Sequence, residues 1–175
     1  MARNRRDRPP GRQTRPANTR TRRSWYGYGK MANMEKNAFG CFLHDVTYIF
    51  GEISILGLPA LMIVTMTGAT GGYGATAAAL VAWATMVLVG TLIRGGWIRP
   101  LGTETLGWVT FSPALIALRL VYYNAVFIAA VYGGVLVAAA VGTPPLSLAV
   151  AAVVAILATL SFPTLGERLA RARRP

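Results

Sequence analysis

The chain is short of three things: cysteine, histidine and charged residues. Cys41 is its one cysteine, so no intrachain disulfide forms and cysteine usage gives no sign of an oxidising compartment. Beside an apolar run it reads as a small packing residue rather than a reactive or lipidated one. His44 is the one histidine. A zinc or di-metal site needs more ligands than His44, Asp45 and Glu52 on one helix direct at one ion. A Ser–His–acid triad is equally short of parts, because Asp45 adjoins His44 and points elsewhere on a helix. The Gly-rich stretch GATGGYG at 68–74 is followed by no Lys-Ser/Thr, so it reads as a turn and not as a phosphate cradle. These gaps lead to an expectation of no enzymatic activity, no metal and no cofactor.

The third scarcity decides the class. With 54% apolar and only 14% charged residues, the 175-residue chain is too apolar for a soluble globule and reads as an integral membrane protein. Thr21-Arg22-Arg23-Ser24-Trp25-Tyr26 has the outline of a twin-arginine export signal, and Ala75-Thr76-Ala77 that of a cleavage site. More than twenty residues separate the Arg pair from the first apolar run, which is itself too long for a signal core, so an uncleaved first span is expected.

What is present is four apolar stretches, 46–67, 75–93, 113–141 and 146–162, of 22, 19, 29 and 17 residues. At about 1.5 Å per residue the first two match a hydrocarbon core of about 30 Å, the third exceeds it and the fourth is short. Ser112-Pro113 and Thr143-Pro144 are helix starts by composition, and Pro163 reads as a stop. Arg and Lys number eleven before Val46, two in the 94–112 loop (Arg94, Arg99) and four after Phe162, whereas the turns 68–74 and 142–145 carry no charge. The positive-inside rule then places both termini and the middle loop in the cytoplasm. The short turns pair spans 1 with 2 and 3 with 4. The expected fold is an all-α, four-helix membrane bundle of two helical hairpins, N-in and C-in, with multi-pass localisation in a plasma membrane. Arg over Lys, with an Ala, Gly and Val bias, points to a GC-rich prokaryotic genome.

Residues 1–30 hold nine Arg and one Lys with almost no aliphatic side chains, so a disordered basic tail is expected there. Met31, Met34, Ala38, Phe42 and Asp45 fall at helical spacing, which predicts a juxtamembrane interfacial helix over 31–45. The middle loop, with Trp97 and Trp108, is expected along the cytoplasmic surface. The transmembrane bundle is bounded at 46–163, and 164–175 is read as a basic tail that begins in capping-box form at Thr164-Leu-Gly-Glu167. Arg22, Arg23, Trp25, Tyr26, Arg168 and Arg171 are candidate anchors to anionic lipid headgroups, each basic group near the surface contributing about 1 kcal/mol. A homo-oligomer or a membrane-protein partner is the other expectation. Nucleic acid ranks below both, since no folded recognition module is present.

Two charges interrupt the spans. Glu52 lies six residues past Val46 and Arg119 six past Pro113, each about 9 Å inside its helix start. A charge on a membrane helix costs about 2.5–3.5 kcal/mol at mid-bilayer, a cost that a partner reduces, so an interhelical Glu52–Arg119 pair is expected. His44, Tyr48 and Glu52 recur at four-residue spacing, and Tyr122 and Tyr123 follow Arg119 by about one turn, which together predict a polar cluster. Beyond Glu52 and Asn124 the outer halves of the spans hold only Thr, Ser, Tyr and Pro59, which is expected to kink span 1. Small residues at Ala125, Ala129 and Gly133, and at Ala130, Gly134 and Ala138, mark two strips for close helix packing.

Four spans with a Glu in the first is an outline similar to that of small multidrug exporters, yet the long tail and one-sided charge here argue against their dual topology. The expected function is that of a non-enzymatic scaffold or accessory subunit with a polybasic tail. The alternative is a small ion or proton-coupled channel or carrier using Glu52.

Overall fold

The computed structural model describes residues 24–26, 33–35, 38–67 and 74–172. Apart from a short antiparallel ribbon, β1 (Ser24–Tyr26) with β2 (Asn33–Glu35), they form five helices. These are α1 (Ala38–Leu56), α2 (Leu58–Met66), α3 (Ala75–Gly95), α4 (Pro113–Val141) and α5 (Leu146–Ala172). By length and composition α1, α3, α4 and α5 are able to cross a membrane, as a multi-pass membrane protein requires. Outward-facing side chains agree: Ile55 of α1 and Val121 and Leu136 of α4 are each at least 70% exposed. Water would penalise such faces, whereas lipid tails do not.

The interfacial helix expected over 31–45 is not a separate element. Asn33–Glu35 is extended in the ribbon, and the helix that opens at Ala38 runs unbroken to Leu56. The rest of the basic tail, Arg22 and Arg23 included, lies outside the described residues, as do the side chains of Trp25 and Tyr26.

Span 1 is divided rather than merely kinked at Pro59. Gly57 separates α1 from α2, and Pro59 sits in the first turn of α2, where a missing N–H is tolerated. Pro163, by contrast, does not stop α5, which continues to Ala172. The middle loop bonds to the helix beside it: Leu101 N–H donates to Leu160 O at 2.9 Å, and Thr164 Oγ1 donates to Leu101 O. One residue pair further on, Val109 fills the space where a side chain on Gly166 would be.

The core is built from small residues. Ala78, Ala79 and Ala82 of α3 and Ala151 and Ala155 of α5 are buried, so the backbones approach closely. The two small-residue strips of α4 separate: Ala130, Gly134 and Ala138 face inward, with Ser147 backbone where a Cβ on Gly134 would sit. Ala125 and Ala129 face outward, and the Cβ position of Gly133 is open.

Candidate functional site

Among the described residues three acids are buried: Asp45, Glu52 and Glu167. Glu52 is the centre of the largest polar group. Arg119 Nε donates to its Oε1 at 2.7 Å, with both side chains essentially inaccessible. Tyr123, four residues and about one turn along the same face of α4, donates its hydroxyl to Oε1 at 2.6 Å. Trp108 Nε1 lies 3.1 Å from Oε1 and 3.2 Å from Oε2. Three donors from two elements thus converge on one carboxylate, and charge-assisted bonds of this kind are the strong ones.

Trp108 reaches Glu52 because the middle loop turns inward. Gly107 has φ 107°, a conformation that disfavours a side chain, and the turn it makes buries Trp108 and Val109 completely. The expectation of a surface-lying loop therefore fails for Trp108, while Trp97 is 49% exposed and packs its ring on Phe42. Arg119 secures the loop from the other side: Nη2 donates to Val109 O at 2.6 Å and Nη1 to Thr110 O at 3.2 Å. Phe162 packs against the rings of Trp108, Tyr122 and Tyr123, and Phe111 lies under the Arg119 guanidinium at 4.6 Å. Aromatic faces shield the pair and solvate the cation.

A second ion pair stands at the entry of α1. Arg94, the penultimate residue of α3, places Nε 3.1 Å from Asp45 Oδ1 and its guanidinium 3.5 Å above the Tyr48 ring. His44 Nδ1 is 3.7 Å from the same Asp45 oxygen. The single polar cluster expected from sequence is thus two groups. Tyr123 belongs to Glu52, while His44 and Tyr48 belong to Asp45 and Arg94. Tyr122 turns to α5 instead, donating to Ala158 O at 2.9 Å. Tyr48 also packs on Phe111. Near the C-terminus Glu167 lies 3.8 Å from Arg171, which with Arg168 faces outward.

The polar cluster expected from sequence does not include Asp45, Arg94 or Trp108. For the first two a signal exists: Asp45 is seven residues before Glu52 on the same helical face, and it directly precedes the first apolar stretch as Arg94 directly follows the second. Trp108 carries no such signal. Among the described residues no three of His, Cys, Asp and Glu gather where they could hold a metal ion.

Chemically, the arrangement is one of fastening. Each buried acid at the α1 face meets an arginine from another helix, and the Glu52 group ties α1, α4 and the middle loop at one point. No curated protein and no solved structure matches the chain. One family profile does, described as Domain of unknown function (DUF8215). It matches residues 36–169, all of the helical body but the last three residues of α5, and the chain belongs to that family.

Proposed function

We propose that the protein is a non-enzymatic membrane scaffold or accessory subunit, its interior charges serving to fix helices and its basic tail serving to engage anionic lipid or a partner. The observation that carries this reading is the state of Glu52: its side chain is 1% exposed and takes hydrogen bonds from Arg119, Tyr123 and Trp108. A carboxylate that carries protons or ions through a membrane must exchange partners, and three donors fixed by two elements oppose exchange. Capture from native membranes in mild detergent should recover a stoichiometric partner or a homo-oligomer. A purely monomeric, partnerless species would count against the reading.

The same proposal includes orientation: two hairpins with both termini and the middle loop on the cytoplasmic side of a prokaryotic plasma membrane. Support comes from charge and packing together. The middle loop packs on the C-terminal part of α5 through Leu101 and Val109, and on the N-terminal part of α1 through Trp97. Arg94, Arg99, Arg168 and Arg171 belong to those segments, and the positive-inside rule favours the cytoplasm for them. Reporter tags at Gly71 and at the C-terminus should therefore appear on opposite faces. Tags on one face would remove the orientation.

A further inference from the structure

The break in span 1 is closed by a side chain from another helix. In a continuous helix Ala60 N–H would donate to Leu56 O, four residues back. Here Ala60 N–H donates to Asn124 Oδ1 at 2.7 Å, and Asn124 Nδ2 donates to Leu56 O at 2.8 Å. The amide of Asn124 is therefore inserted into the Ala60–Leu56 hydrogen bond, one of those that would join α1 to α2. Its second N–H goes to Leu120 O at 2.6 Å, within α4. Pro59, with no N–H, makes the insertion possible by leaving the helix already interrupted one residue earlier. Gly57 makes it close: the ring of Phe127 occupies the place of a Cβ on residue 57, so α4 approaches near enough for Asn124 to reach. At the far end of α2, Thr67 Oγ1 and the Tyr132 hydroxyl are 2.8 Å apart. Asn124, Phe127 and Tyr132 thus hold α2 along one strip of α4.

We infer that Asn124 is a latch, and that span 1 has a second, closed form in which Ala60 bonds Leu56 directly and α2 leaves α4 as a lever pivoting at Gly57. The two forms differ in which groups are satisfied. With the latch engaged, Ala60 N–H, Leu56 O and all the donors of Asn124 have partners. In the closed form Ala60 N–H and Leu56 O satisfy one another, but Ile55 O still lacks a donor because Pro59 has no N–H, Asn124 keeps only Leu120, and the Thr67–Tyr132 contact parts. An amide left half-bonded in an apolar setting is costly, so the wild type rests in the latched form. Removing the amide reverses the preference, because Ala60 and Leu56 then have only one another. This device is independent of whether the protein is a scaffold, since it concerns a polar group that the Glu52 cluster does not use.

The test uses the full chain in lipid nanodiscs with Cys41→Ala, comparing wild type, Pro59→Ala, Asn124→Leu and the double variant. Thr67→Cys with Tyr132→Cys reports on α2 through a short thiol cross-linker. Latched protein should cross-link efficiently, and Asn124→Leu should lose most of that cross-linking and some thermal stability. Adding Pro59→Ala to Asn124→Leu should recover most of the stability while the cross-link stays lost, because an N–H at position 59 lets the helix close completely. If Asn124→Leu cross-links as wild type does, or if the two stability losses add, the latch is overturned. Failure of the double variant to fold overturns it as well.

Discussion

Arg119→Leu is expected to lower the unfolding free energy by about 3–5 kcal/mol, the cost of stranding one member of a buried ion pair. The substitution removes more than an attraction. It leaves Glu52 with a charge in an aromatic and aliphatic enclosure, and it withdraws the donors from Val109 O and Thr110 O, which face the same interior. Desolvated acceptors without partners carry their own cost, so the loop and the carboxylate are destabilised together. Arg168→Leu provides the contrast: Arg168 is exposed, and its loss should stay within about 0.5 kcal/mol. Reversible unfolding in bicelles measures both, and equal losses would contradict the assignment.

Trp108→Ala is expected to cost about 3–5 kcal/mol, in the range for removing a large buried aromatic side chain. Trp108 is completely buried, packs on Phe162 with ring centroids 5.5 Å apart, and donates to Glu52. Trp108→Phe separates these contributions, since it keeps most of the packing and loses the N–H, for about 1–3 kcal/mol. Trp97→Ala should cost far less, its ring being half exposed. Because the middle loop is fastened through Trp108, Trp108→Ala should also speed cleavage after the exposed Glu104 by a glutamate-specific protease, whereas Trp97→Ala should leave it nearly unchanged. If the alanine variants at 97 and 108 lost equal stability, the loop would not be part of the core.

Much of this architecture is readable from residue spacing. The four apolar stretches are visible because spans must be continuous, and Glu52 and Arg119 are recognisable as partners because each falls six residues into its stretch. The same depth test pairs Asp45 with Arg94, yet a hydropathy boundary hides it by assigning both residues to connections. Two features resist sequence for a physical reason. Pro163 reads as a stop by local rules, whereas α5 runs past it with a distant loop bonded to it at Leu160 and Thr164, contacts that local sequence does not show. Trp108 looks like any interfacial tryptophan; its depth is set by the positive φ of Gly107 and by Arg119 holding the adjoining carbonyls. Asn124 is visible as a rare polar residue in an apolar run, but its partners lie more than sixty residues away.

The fastening role of the buried charges is tested most directly by a double-mutant cycle on Glu52 and Arg119. Unfolding free energies of wild type, Glu52→Gln, Arg119→Leu and the double variant, measured under one condition, give the coupling between the two sites. The double variant should be more stable than Arg119→Leu alone, because removing the second charge relieves what removing the first created. Losses that simply add would mean that Glu52 and Arg119 do not act as a unit, and the clasp would be the wrong description of this protein.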